Sequence, residues 1–258
     1  MADFSIIDVT PDNLEEVGVY RANDRTSPGF RMKARWYREQ YPDGLRMKIA
    51  FAPYGKRLGF IEFVPAESGW RPVAAPGYSL IHCIAVFGKA ARGKGVGAAL
   101  IAACVAESRA AGRSGVVATA SDGPWMANGI ICRNAGFVPG AVSGRFRLWS
   151  LAFVPGGGEP RFLETETELK TLTGWHLIYS DQCPWHDRAA REIAGSAGLH
   201  GIVLNIVRQS DSAEARRSPA AFGTFALVRD GRLLADHYIS RTRFENILRE
   251  ESVVPRRG

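Results

Sequence analysis

The stretch that most constrains this chain is Arg92-Gly93-Lys94-Gly95-Val96-Gly97-Ala98, a glycine-rich turn between an apolar run and a long helical pattern. The apolar run, residues 79–86, reads as a buried strand, and residues 98–108 are rich in good helix formers. Glycines at alternate positions let the backbone approach an anion with no Cβ in the way. The free N–H groups of the first helical turn then point at that anion, and the helix dipole adds to the attraction. Arg92 and Lys94 supply countercharge, so the pattern predicts a diphosphate cradle. It is not a P-loop, because Gly97-Ala98-Ala99 lacks the Gly-Lys-Ser/Thr ending. Nor is it a dinucleotide fingerprint, whose glycines are spaced G-x-G-x-x-G at a first βα turn.

The 258 residues leave room for one large domain or two small ones. No run approaches the roughly 18 uncharged apolar residues of a membrane span, so no membrane partner is expected. Met1-Ala2-Asp3-Phe4-Ser5 lacks a basic segment followed by an apolar core, which argues against a signal peptide. Cys83, Cys104, Cys132 and Cys183 are too widely spread for a zinc or disulfide framework. No metal is expected, and a reducing cytoplasm is the expected location. The net charge of +7 falls entirely in the first 155 residues; from residue 156 on, 14 Lys/Arg balance 14 Asp/Glu. That excess suits a polyanionic cofactor. Without basic runs interleaved with aromatics, nucleic acid is not an expected partner.

Residues 154–160, Val-Pro-Gly-Gly-Gly-Glu-Pro, read as a linker between a unit at 1–155 and a unit at 156–258. In the first, residues 11–17 begin a short helix and 46–52 and 58–64 form a strand pair turning at Pro53-Tyr54-Gly55. The loop strand and helix follow, then a buried strand at 115–120. A helix start is expected at Ser121-Asp122-Gly123-Pro124, ending at Asn134-Ala135-Gly136. In the second, strands at 175–180 and 201–207 flank a helix from Asp187 to Ala197. A polar helical stretch, a hairpin turning at Asp230-Gly231 and a closing helix at 243–249 complete it. The fold class is α/β (α+β).

The Arg-led loop with its strand and helix resembles that of the GNAT superfamily of N-acetyltransferases. Gly69-Trp70-Arg71-Pro72-Val73, Ile81-His82-Cys83-Ile84 and Ser121-Asp122-Gly123-Pro124-Trp125-Met126-Ala127 further resemble the YoaP-type acetyltransferases. The resemblance implies a GNAT acyl-CoA acyltransferase fold followed by a small domain. The βαβ-αββα order of that domain resembles thioredoxin-like domains, with Cys183 at the active-cysteine position and His186 in place of the second cysteine. It also implies acetyl-CoA as cofactor, the diphosphate on Arg92, Gly93, Lys94, Gly95, Val96, Gly97 and Ala98, and Ile84 and Val86 beside the pantetheine.

Acyl transfer to an amine needs a base for the ammonium and an acid for the departing thiolate. Glu62 and His82, each in an apolar strand, are the base candidates; burial would raise the carboxylate's pKa and lower the histidine's. An outward-facing strand residue and a packed core imidazole are the plain alternatives. Where such enzymes often carry tyrosine, this chain has Cys132, an acid candidate or a small apolar filler. Asp122 and Trp125 fall where the fold places the acceptor; Asp122 is a ligand or a helix cap. Cys183, at a helix start, is expected to be the most reactive of the four thiols, because Cys83, Cys104 and Cys132 fall in apolar strand or helix patterns that would bury them.

These readings converge on an acyl-CoA-dependent N-acetyltransferase acting on a small-molecule amine, with a thiol-bearing domain near the acceptor site. Two alternatives stay open. One is lyase or thiol chemistry on the same fold, with an amine or thiol substrate. The other is a thiol- or metal-binding module fused to an inert acetyltransferase shell. For the second domain by itself, the plain alternative to a working thiol is a role in packing or in a homodimer.

Overall fold

The computed structural model describes residues 4–19, 24–88, 91, 93–156 and 158–253. In chain order the first elements are β1 (Ser5–Val9), α1 (Leu14–Val17), α2 (Pro28–Gln40), β2 (Arg46–Phe51), β3 (Arg57–Pro65), β4 (Val73–Ala74) and β5 (Tyr78–Val86). Then come α3 (Val96–Ala110), β6 (Gly115–Ala120), α4 (Gly129–Asn134), β7 (Val138–Ser143) and β8 (Phe146–Ala152). The remainder is β9 (Arg161–Phe162), α5 (Glu166–Thr171), β10 (Trp175–Tyr179), α6 (His186–Leu199), β11 (Leu204–Arg208), α7 (Ser212–Arg216), β12 (Phe225–Arg229), β13 (Arg232–Ala235) and α8 (Arg241–Val253).

Seven strands form one sheet in the order β1-β2-β3-β5-β6-β8-β7. Its one parallel step, β5 to β6, needs a crossover, and α3 supplies it. That ladder runs only from Tyr78 opposite Gly115 to Ile81 opposite Ala118. On the other side of β5 the register with β3 shifts at the same level: Phe63 faces Ile81 and Glu62 faces Cys83, leaving His82 as the extra residue of a bulge. A bulge bends its strand and strengthens the twist. Beyond it β5 and β6 part, and a cleft opens between them.

The two faces of this sheet are covered differently. On one face α2 packs Phe30, Ala34 and Tyr37 into a core with Met47, Ile49, Phe60 and Trp70. Ser27 caps that helix, its Oγ accepting from the Phe30 N–H at 3.2 Å, and Pro28 sits where its missing N–H costs nothing. On the other face α3 buries Val96, Leu100, Ile101 and Cys104 against Phe63, Ile81, Val116 and Trp149. A four-stranded sheet of order β11-β10-β12-β13 follows, with β10 and β11 parallel and the other pairs antiparallel. Its core is Leu177, Ile193, Phe225, Leu227 and Phe244. The hairpin turn has φ of 49° at Asp230 and 70° at Gly231, the paired positive values a tight two-residue hairpin needs. Past the glycine-rich stretch, β9 doubles back to pair with β4.

Several expectations need correction. The sequence reading passed over β1, α2, β7 and the β4–β9 pair. No helix starts at Ser121–Pro124: α4 begins at Gly129, with Asn128 as its cap, its Oδ1 accepting from the Ile130 N–H at 2.8 Å. Trp125 has φ of 68°, outside the right-handed region, so a helix cannot run through it. Asp122 is therefore no cap; its Oδ1 accepts from Asn128 Nδ2 at 2.6 Å. In the second unit the helix begins at His186, one residue before the expected Asp187, and β11 begins at Leu204 rather than residue 201.

The loop glycines also divide by cause. Gly95 caps α3 with φ of 79°, and a Cβ there would meet nothing within 4 Å, so it supplies conformation rather than space. At Gly97 a Cβ would stand 2.9 Å from Ile131 Cδ1, so it permits α3 to pack beside α4. Gly95→Ala is therefore expected to destabilise the fold by about 1–2 kcal/mol through the left-handed backbone alone. The shift of the urea midpoint measures this, and an unchanged midpoint would count against the assignment.

Candidate functional site

The cleft between the parted strands has a volume of about 760 Å³. Residues 81–86 of β5 form one wall, Ala118 and Thr119 of β6 another, and Trp125–Asn128 with α4 residues up to Asn134 the third. Ile84 and Val86, expected beside a pantetheine, line it, and so does Cys132. Thr119 is 5% exposed and its Oγ1 has no hydrogen-bond partner. At the turn into α3, Lys94 is exposed and the Val96 side chain is core, so Val96 offers a ligand only its backbone. The first bond of the helix runs from Ala99 N–H to Gly95 O at 2.9 Å, which leaves the preceding N–H groups without intrahelical acceptors. Arg92 lies outside the described residues.

Beneath the bulge lies a buried carboxylate. Glu62 is fully buried and pairs through Oε2 with the equally buried Lys33 Nζ from α2. Its Oε1 accepts from Gln182 Nε2 at 3.1 Å and stands 3.5 Å from His82 Nδ1. Burial alone would raise this carboxyl, as the sequence suggested. Lys33 and His82 together outweigh it and hold Glu62 down at about 2. Glu62 is thus ionised and neutralised rather than poised near neutrality, and the expectation of a raised pKa is corrected. His82 is lowered, as expected, because burial disfavours its cation. Its Nε2 accepts the Trp70 N–H at 3.0 Å, which puts the ring proton on Nδ1. Neither base candidate presents a free lone pair to the cleft.

A second, smaller pocket of about 50 Å³ lies where the two sheets' units meet. Its walls are Arg71, His82, Cys83 and Trp125 from the first unit, and Gln182, Cys183, His186, Phe222, Thr224 and Tyr238 from the second. His82, Cys83 and Trp125 line both cavities. Arg71, 2% exposed, spans the junction, donating to His82 O at 2.7 Å and Phe222 O at 2.9 Å. Arg145 and Asp236 join the units at 2.9 Å, and Arg216 donates to Ala66 O and Val73 O. Over the mouth, Trp125 meets Tyr238 edge-on with ring centroids 4.5 Å apart, and Trp185 lies 6.2 Å from Trp125.

Cys183 sits in the turn before α6, half-buried, three residues ahead of the helix rather than capping it. His186 is buried, donates from Nδ1 to Ser180 O at 3.0 Å and is pushed down to about 3 by burial. It is neutral and adds no positive charge at Cys183; Arg71 shares the pocket with both Cys183 and Cys83. Cys83 is also half-buried, against the expectation that the strand hides it. Burial pushes Cys132 up to about 11. Among the described residues, no three His, Cys, Asp or Glu side chains converge on a common point, and no helix is long and apolar enough to cross a membrane.

Sequence reasoning missed Lys33, Gln182, Arg71, Cys83 and Tyr238. The spacing of Phe30, Ala34 and Tyr37 after Ser27-Pro28 was the available signal for α2, and hence for Lys33.

Residues 204–246 match the family described as YoaP-like. The chain is 25% identical over 248 residues to a Bacillus subtilis (strain 168) protein described as the uncharacterized N-acetyltransferase YoaP, covering 94% of this chain and 97% of that one. Among solved structures, the acetyltransferase yncA from Salmonella typhimurium, with acetyl-CoA, has a TM-score of 0.43 at 18% identity, covering 60% of this chain and 97% of its own. A GNAT family acetyltransferase from Brucella melitensis, in complex with acetyl-CoA, has a TM-score of 0.37 at 22% identity, covering 62% and 96%. The sequence similarity, which runs the length of both chains, is the firmer of these likenesses.

Removing one partner of the buried pair leaves the other uncompensated. Glu62→Gln is expected to cost about 3–5 kcal/mol of stability at neutral pH, measured by urea unfolding. Because the folded pKa of Glu62 lies below its ordinary 4.5, the ion pair's contribution is full above that value and fades as pH falls towards about 2. Across that window the wild type should lose stability more steeply than the variant. Parallel pH profiles would contradict the assignment.

Proposed function

We propose, from the premise that this chain is a relative of the YoaP-type N-acetyltransferases, that it transfers an acetyl group from acetyl-CoA to a small-molecule amine. The observation that carries the reading is the cleft between β5 and β6, which runs from the helices to the bulge and there meets the interdomain pocket. One cavity, of about 760 Å³, has the volume for a pantetheine arm; the other is small and has walls from both units. The residues fit acetyl-CoA. Gly93, Gly95 and the first N–H groups of α3 suit its diphosphate with Arg92 and Lys94, Ile84 and Val86 suit the arm, and Thr119 Oγ1 awaits a partner.

The division at residue 155 and a thioredoxin-like second unit belong to the same proposal. The order β11-β10-β12-β13, with its one parallel pair and with α6 as crossover, supports it. In this unit Cys183 follows the first strand and Thr224 directly precedes β12. Its work is to close the acceptor pocket: Gln182 reaches in to Glu62, and Tyr238 and Trp185 meet Trp125 at the mouth. The aromatic walls suit the apolar body of an amine, with Trp125 as the acceptor contact. Cys132 is a poor acid for the departing thiolate, since burial makes it weaker than an ordinary thiol of about 8.5. None of the four cysteines is in a disulfide, which suits the cytoplasm.

Glu62 fixes rather than titrates. Its charge holds Lys33, the His82 tautomer and Gln182 in one arrangement, so the bulge keeps its shape while substrate enters. The amine must therefore arrive neutral or give its proton to another group.

Calorimetric titration with acetyl-CoA is expected to show one saturable site. Absence of binding at millimolar acetyl-CoA would refute the reading. With an amine that turns over, Trp125→Ala should raise the acceptor KM about tenfold and leave acetyl-CoA affinity within about twofold, as expected for loss of one aromatic contact.

A further inference from the structure

We propose that Cys83 takes the acetyl group from the thioester and carries it, as a thioester of its own, to the acceptor. The inference rests on reading the large cleft as the acetyl-CoA site. Three residues line both cavities: His82, Cys83 and Trp125. An acyl group passing from one cavity to the other passes these three. His82 has its Nε2 lone pair occupied by the Trp70 N–H and its proton on Nδ1 towards Glu62, and indole carries no nucleophile. Cys83 alone of the three has an atom that can form the bond.

Two further observations bear on this thiol. Cys83 is half-buried rather than packed away, so its sulfur is within reach of a group in either cavity. Across the cleft, on the strand that parts from β5, Thr119 presents a hydroxyl that is 95% buried and has no protein partner. A buried hydroxyl left unmatched costs free energy that a ligand oxygen or amide would recover. Thr119 and Cys83 thus flank one ligand from two strands.

The steps balance without an oxidant or reductant. In the first, Cys83 Sγ attacks the thioester carbonyl, a carbon–sulfur bond forms to Cys83, and the carbon–sulfur bond to CoA breaks. The departing CoA thiolate takes the proton that the Cys83 thiol gave up. In the second, the amine nitrogen attacks acetyl-Cys83, a carbon–nitrogen bond forms, the bond to Sγ breaks, and the amine's displaced proton returns to the thiol.

The test is incubation of the whole protein with acetyl-CoA and no acceptor, quenched in acid and read by intact mass and peptide mapping. The proposal expects one acetyl adduct per chain, on Cys83, with one equivalent of CoA released in a burst. Cys83→Ser should bind acetyl-CoA in calorimetry and give no burst of CoA. Thr119→Val should form the adduct about tenfold more slowly, as the loss of one hydrogen bond allows. Acetyl-CoA that binds but leaves Cys83 unmodified overturns the two-step route and leaves the function standing. An adduct confined to Cys183 or a lysine overturns it equally. Failure of acetyl-CoA to bind at all overturns both.

Discussion

The carboxylate of Glu62 is the point on which the site depends. It lies at the bulge of the central strands, and its two oxygens reach Lys33 on α2, His82 on β5 and Gln182 in the turn before α6. One buried charge therefore binds a helix, two strands and the second unit. Such a charge is tolerable inside a protein only with a countercharge and hydrogen bonds, and here it has both. The bulge at His82 lies within the same cluster, and the β5–β6 ladder ends beside it. The cleft thus opens next to a polar knot in an apolar sheet.

The second unit completes this knot rather than resting against it. Arg71 bridges from the carbonyl beside the bulge to Phe222 O across the junction, and a Cβ on Gly223 would stand 2.5 Å from Trp70 O, so the backbones there come as close as glycine allows. The small pocket takes its walls from both units and exists only where they meet. Its contents are mostly neutral: His186 is uncharged and stacks on Tyr238, which Trp125 and Phe225 meet edge-on or tilted. Chemistry there depends on which nucleophile faces the cleft, and Cys83 and Cys183 approach it from opposite units.

Much of the fold was legible because its signals are local. The strands of the sheet's centre read from β-branched and aromatic runs, the hairpin from Asp230-Gly231, and the turn into α3 from its glycines. What was not legible depends on tertiary contacts. α2 is polar enough in sequence to pass for loop, since Lys33 looks like a surface lysine until Glu62 is placed beneath it. The supposed helix start at Ser121–Pro124 failed on one backbone angle at Trp125, which no propensity reveals. Glu62 was found but its charge state was misjudged, because burial was visible in the strand pattern and Lys33, 29 residues away, was not. The strand pattern alone makes Cys83 core; the parting of β5 and β6, which exposes it, is a property of the sheet and not of the strand.

The most direct test is a crystal structure of the protein grown with CoA. The account predicts the pantetheine arm between β5 and β6, the diphosphate at Gly93–Gly95 and the first turn of α3, and the sulfur beside Cys83 where the two cavities join. CoA bound elsewhere on the protein, or an arm that leaves the space between Ile84 and Thr119 empty, would contradict it.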